Sequence, residues 1–139
     1  MNDSILKVDH IGYAVNDMEK AVKKFLLLGY QLYGGGIDDN ERQVRIQFLV
    51  DANGTRVELV APLDGESPID NWIEKNGNSP YHICCESGNI ESDTETLKAN
   101  GFIMVHKISP APAMGGRRVA FLYSMETGLF ELVEREMLS

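Results

Sequence analysis

The chain has 139 residues, 43% of them apolar and 24% charged, the make-up of one globular domain, which excludes disordered, collagen-like and low-complexity chains. Acidic residues outnumber basic ones 21 to 13, for a net charge of −8, so neither nucleic acid nor an anionic membrane is an expected partner, and the excess reads as a solubility feature. No apolar run approaches the roughly 18 residues of a membrane span, residues 1–7 lack the pattern of a secretory signal, and the two cysteines, Cys84 and Cys85, are adjacent and badly placed for a bridge, so a reducing cytoplasm is the expected location.

In chain order, a strand over about residues 7–15 carries His10 inside Val8-Asp9-His10-Ile11-Gly12. A helix over about residues 17–28 follows. Asn16 with Glu19 forms its capping box, Gly29 takes the left-handed position after it, and Met18, Val22 and Phe25 share one face. Strands are expected at about residues 30–34, 43–51 and 55–61, with Asn53-Gly54 as the hairpin signal between the last two. Gly34-Gly35-Gly36 is not a phosphate loop, because no Lys-Ser/Thr and helix start follow; it reads as a flexible strand end. In the linker, Ser67-Pro68 starts a short helix through Trp72 and Lys75, with Trp72 as its anchor. Then comes a strand with His82, a helix with the stripe Ile90, Thr94 and Leu97 stopped by Gly101, and strands at about residues 102–107, 117–124 and 128–134.

The second half repeats the first. His10 and His82 are 72 residues apart, as are Gly29 and Gly101, while Glu58 and Glu131, each in a Glu-Leu-Val context, are 73 apart. One residue of slippage in a middle loop accounts for the change, and the unit is a strand–helix–strand–strand–strand module of roughly 70 residues. Related modules commonly pack with approximate two-fold symmetry. If the first and fourth strands of each line one concave face, His10, Glu58, His82 and Glu131 converge there. A lone histidine in an apolar strand is more often a hydrogen-bonded core residue than a ligand. Recurrence of both His and both Glu is what a symmetric metal site requires and a structural histidine does not. Two imidazoles and two carboxylates suit a divalent ion and leave zinc, nickel, cobalt and manganese all open.

These residues resemble the vicinal oxygen chelate superfamily of glyoxalases, bleomycin-resistance proteins and dioxygenases, over about residues 8–134. Within it the chain is most similar to the methylmalonyl-CoA epimerase branch, through Asp9-His10-Ile11-Gly12-Tyr13, Glu58-Leu59-Val60-Ala61-Pro62-Leu63, Glu66-Ser67-Pro68-Ile69, Trp72-Ile73-Glu74-Lys75 and Gly115-Gly116-Arg117-Arg118-Val119-Ala120-Phe121-Leu122. The resemblance implies an α+β fold: two tandem βαβββ modules forming a cupped mixed sheet around a metal site. It implies a single domain over residues 1–139, with modules at about 5–62 and 78–135 and a linker at about 63–77. His10, Glu58, His82 and Glu131 fall on the family's metal positions.

The implied activity is a metal-dependent isomerisation in which a proton next to a carbonyl is removed and returned. Glu131 is the expected principal base and Glu58 its partner. Gln47, Arg45 and Arg118 are candidate substrate-binding residues, the arginines for phosphates or a carboxylate. The alternatives are a glyoxalase I (lactoylglutathione lyase) type of enzyme, which uses the same four ligands, and a non-catalytic small-molecule binder. The expected substrate is an acyl-CoA thioester or a glutathione adduct, and the expected assembly is a homodimer. Cys84 is expected as a packing residue, and His106, with no counterpart noted in the first module, stays outside the metal site.

Overall fold

The computed structural model describes residues 4–63 and 67–136; Glu66, part of a linker motif above, lies outside them. The elements run β1 (Ile5–Ala14), α1 (Met18–Leu27), β2 (Gln31–Asp39), β3 (Val44–Val50), β4 (Arg56–Pro62), α2 (Ile69–Asn76), β5 (Ser79–Ser87), α3 (Ile90–Ala99), β6 (Ile103–Pro110), a 3₁₀ turn (Pro112–Met114), β7 (Arg118–Ser124) and β8 (Gly128–Glu134). The expected α+β class and the twice-repeated strand–helix–strand–strand–strand order are the observed ones. Among the described residues no helix is long and apolar enough to cross a membrane.

The helices begin and end where local chemistry satisfies their free backbone groups. The N-cap of α1 is Asp17, whose carboxylate accepts from the Lys20 amide at 3.1 Å. The Asn16–Glu19 box is therefore displaced by one residue. Asn16 instead accepts a side-chain hydrogen bond from Asn78, and its amide donates to Asn78 Oδ1. Asn89 caps α3 in the same way, accepting from the Ser92 amide. Past each helix a glycine adopts a positive φ, 95° at Gly29 and 96° at Gly101, a conformation that costs a side-chain-bearing residue. In the linker helix the Trp72 indole donates to Ser79 Oγ at 2.9 Å, and its ring lies 6.0 Å from that of Tyr81.

The chain divides into two compact units. One runs from His10 to Tyr81; the other comprises residues up to Asp9 and from His82 onward. The first unit orders its strands β2-β3-β4-β1, with β4 and β1 parallel and the other neighbours antiparallel. The second orders them β6-β7-β8-β5, again with one parallel pair, β5 and β8. In the first unit one face of the sheet packs on α1: Val15, Leu49, Val57, Leu59 and Ala61 are buried against Met18, Ala21, Val22 and Phe25. In the second, Ile90, Ala120, Leu122 and Leu132 form the equivalent core with Leu97 and Phe102. Burial of each such Leu or Ile contributes about 1.5–3 kcal/mol.

The strand hairpins decide which side chains share a face. Three residues, Ala52, Asn53 and Gly54, separate Asp51 from Thr55, and the Asp51 amide donates to the Thr55 carbonyl at 2.9 Å. Gly54 has φ 85°, and Asp51 Oδ1 accepts from the Asn53 and Thr55 amides. This is the three-residue loop with a left-handed third position. The matching loop of the second unit joins Ser124 to Gly128, with Thr127 donating to Ser124 Oγ. The register that follows pairs Phe48 with Glu58 and Phe121 with Glu131. Strand β2 is longer than expected, nine residues, because it continues through Gly34-Gly35-Gly36 at a register shift between Tyr33 and Ile37. Gln47 ties this stretch to β3, since its Nε2 donates to the Gly34 carbonyl at 3.0 Å, and Gly34 itself has φ 76°.

Candidate functional site

Side chains alternate between faces along a strand, so the helix-covered face of each sheet leaves an opposite face to carry the remaining buried groups. In the first unit that opposite face holds His10 from β1 and Glu58 from β4. The parallel register sets Gly12 beside Glu58, which brings His10, two residues earlier, alongside the carboxylate. His10 is 1% exposed and Glu58 5%; His10 Nε2 stands 3.4 Å from Glu58 Oε1. Phe48 sets its ring against the imidazole, edge to face, at 5.1 Å.

The second unit repeats this arrangement. His82 Nε2 is 3.1 Å from Glu131 Oε1, both residues are buried, and Phe121 lies edge to face with the imidazole at 5.5 Å. Two buried carboxylates without cationic partners would be costly. Each instead faces an imidazole nitrogen. A nitrogen and an oxygen bound to one ion at about 2.1 Å, and roughly 90–109° apart, stand about 3.0–3.4 Å from each other. The observed 3.1 and 3.4 Å therefore suit a nitrogen and an oxygen that share a cation as well as ones that share a proton.

The other candidate residues fall elsewhere. Gln47 pairs with Leu59 and Arg45 with Ala61, both members of the core under α1, so the pair stands on the helix side and not beside Glu58. Gln47 is engaged with the Gly34 and Phe48 carbonyls, and Arg45 forms an exposed fork on Asp38, at 2.8 Å for its Nε, that lowers the Asp38 pKa chiefly through the hydrogen bond. Arg118 shares parity with Ala120 and Leu122 on the α3 side, where it binds Glu134 and Glu91. The Arg118 guanidinium holds the Glu134 carboxyl below its usual range, mainly by hydrogen bonding and against a smaller opposing effect of burial. Cys84 and Cys85 are thiols; Cys84 is fully buried beside Glu131 in the register, which fits a packing role.

Two further residues, Arg56 and Tyr33, share the face of Glu58. Arg56 precedes it by two residues on β4, and the Arg56 guanidinium carbon lies 5.2 Å over the Tyr33 ring. The spacing of two was the available signal. His106, set aside for want of a counterpart, does have one: it pairs with Phe121 as Tyr33 pairs with Phe48.

Residues 9–121 match the glyoxalase/bleomycin resistance protein/dioxygenase superfamily. Among characterised relatives, the ethylmalonyl-CoA/methylmalonyl-CoA epimerase of Cereibacter sphaeroides is 31% identical over 119 residues, covering 84% of this chain and 87% of that one. A solved structure of a hypothetical protein from Bacillus halodurans C-125 superposes with a TM-score of 0.81 at 33% identity, over 96% of both chains. The methylmalonyl-CoA epimerase of Mycobacterium tuberculosis shares the fold, with a TM-score of 0.84 at 24% identity over 96% of this chain and 91% of that one.

Proposed function

The chain belongs to the glyoxalase/bleomycin resistance protein/dioxygenase superfamily, and we propose that within it the protein is a divalent-metal-dependent epimerase of a methylmalonyl-CoA-type acyl thioester. The observation that carries the reading is the buried imidazole–carboxylate pair found at repeat-equivalent places in both units. The 31% identity to an epimerase supports the substrate class.

His10, Glu58, His82 and Glu131 would hold one zinc, nickel, cobalt or manganese ion, a donor set of two nitrogens and two oxygens that does not choose among them. When bound, such an ion supplies Lewis acidity to the substrate's oxygens. The chain's own groups do the proton chemistry. Glu131 takes the proton from the carbon next to the carbonyl, and Glu58, its equivalent in the other module, returns one to the opposite face of that carbon. An epimerisation needs two acid/base groups, and the repeat provides two carboxylates of matching environment. His10 and His82 orient the carboxylates from 3.4 and 3.1 Å, and the Phe48 and Phe121 rings shield the imidazoles from water. The whole chain acts as a single functional domain. We place a homodimer in the cytoplasm. The exposed apolar side chains Ile103 and Val105 on the outer strand β6 favour self-association, and gel filtration with light scattering measures it.

The test is α-proton exchange into D₂O, followed by NMR with methylmalonyl-CoA and, separately, with the methylglyoxal–glutathione adduct. Exchange of the first and not the second is expected. Exchange with neither would overturn the reading, and exchange with the adduct alone would replace it by a glyoxalase. Metal analysis of protein purified without a tag, followed by Co²⁺ and Ni²⁺ uptake, tests the centre itself: no stoichiometric metal and no uptake would remove it.

A further inference from the structure

We infer that Arg56, whose guanidinium lies over the Tyr33 ring, recognises a carboxylate that the substrate carries next to its reacting carbon. The inference rests on the reading above, in which Glu58 stands at the reacting centre.

The alternation of β4 puts Val57, Leu59 and Ala61 into the core against α1, so Arg56 and Glu58 project together from the other face. Two residues along a strand separate their Cα atoms by about 7 Å, within reach of one small substrate for a side chain as long as arginine. Tyr33, Phe48 and Glu58 form one cross-strand row on this face, and the Phe48 ring touches His10. Arg56 reaches across β3 to lie over Tyr33 at 5.2 Å. A guanidinium held over an aromatic ring is favoured there by the ring's negative face, and a guanidinium is the side-chain group that can meet a carboxylate with two parallel hydrogen bonds.

Charge narrows the assignment. Along the strands of this unit, from His10 through β4, the cationic residues are Arg45 and Arg56. Arg45 stands on the helix side, on Asp38. Among the described strand residues of this unit, Arg56 is thus the cation on the face that carries Glu58. In a chain of net charge −8, an anionic group brought near Glu58 meets like charge, and a cation two residues away offsets it. At the equivalent place the second module has Leu129, so the recognition is one-sided, as a substrate with a single carboxylate requires.

The experiment compares wild type with Arg56→Met and Arg56→Lys in α-proton exchange, using methylmalonyl-CoA and a methylmalonyl-pantetheine thioester that lacks every phosphate. Calorimetric binding of malonyl- and propionyl-pantetheine accompanies the kinetics, and thermal melts confirm folding. The expected result is a rise in KM of roughly tenfold or more for Arg56→Met with both thioesters, with partial recovery in Arg56→Lys. Malonyl-pantetheine should bind Arg56→Met roughly tenfold more weakly than it binds wild type, while propionyl-pantetheine binding is unchanged. A loss confined to the CoA substrate would assign Arg56 to a phosphate and overturn the inference. Equal loss of malonyl and propionyl binding, or none, would overturn it too. Wild type active with Arg56→Met unaffected sinks this inference alone; inactive wild type sinks the epimerase reading and this inference with it.

Discussion

In the first module Val15 and Ala21 belong to one apolar cluster where α1 meets the sheet; the second module has Ser87 and Asp93 at the corresponding places. There the Ser87 hydroxyl donates to Asp93 Oδ2 at 2.5 Å, the Asn89 amide donates to Ser87 Oγ, and both side chains are buried. Thr94 Oγ1 beside them is buried with no hydrogen-bond partner among the described residues. The same exchange runs across the opposite face, where Gly12, Tyr33 and Arg56 correspond to Cys84, His106 and Leu129. The imidazole–carboxylate pair is kept in both, with its phenylalanine and with the valine two residues beyond each glutamate, Val60 and Val133. A metal ion makes equal demands on both halves, whereas an asymmetric substrate does not. Duplication followed by divergence around a retained pair is the outcome that such a site would favour.

The most severe way to break this equivalence is to ask whether the two carboxylates are equal as bases. Glu131→Gln should lower the rate of α-proton exchange by about 10³-fold, and Glu58→Gln by roughly 10–100-fold, with both proteins folded by circular dichroism. Equal losses would make the modules interchangeable in chemistry, and retained activity in Glu131→Gln would reject it as the principal base. As ligands the halves should be alike. His10→Ala and His82→Ala should each reduce Co²⁺ uptake at least about tenfold, measured by metal analysis after dialysis, and a chelator should abolish wild-type exchange until metal is returned. Loss in only one of the two variants would place the ion in one module.

The helix junctions differ in kind, and stability should report it. Asp93→Ala leaves the Ser87 hydroxyl buried without its acceptor and should cost about 2 kcal/mol in denaturant unfolding. The double change Ser87→Val with Asp93→Ala, which copies the first module, should recover at least half of that loss; no recovery would mean the polar pair is not a self-contained substitute for the apolar one. The smallest effect concerns Arg118 and Glu134. The Glu134 carboxyl is held below the ordinary carboxylate range, so the pair stabilises the folded state above that range, and its contribution is lost as pH falls through the depressed folded value. Arg118→Met should therefore melt slightly below wild type at pH 7, by about 1–3 °C, and the gap should close as the pH falls through and below the ordinary carboxylate range. A gap independent of pH would assign Arg118 to packing.

Much of this was legible without coordinates because it depends on local spacing. The repeat, both His–Glu pairs, the glycines that end α1 and α3, and the short linker helix all follow from residues close together in the chain or from a constant offset between its halves. The cap of α1 was misread by one residue, since Asn16 and Asp17 are both competent and the choice falls to Asn78, 62 residues away from Asn16. The faces of β3 were not legible at all. A two-residue Asn53-Gly54 loop would set Glu58 opposite Leu49 and turn Arg45 and Gln47 toward the carboxylate. The three-residue loop, closed by Asp51 and Thr55, sets it opposite Phe48. A slip of one residue sends every side chain of a strand to the other face.

Sequence alone therefore determined the module, its duplication and the residue types able to bind a metal, since these rest on periodicity and on side-chain chemistry. Tertiary structure decided which of the remaining polar residues stand on the face of each imidazole–carboxylate pair, because register is set across strands by loop closure and hydrogen bonding. It set Gln47 and Arg45 on the helix side of the first sheet and Arg118 on the helix side of the second, and it brought Tyr33 and Arg56 onto the face of Glu58.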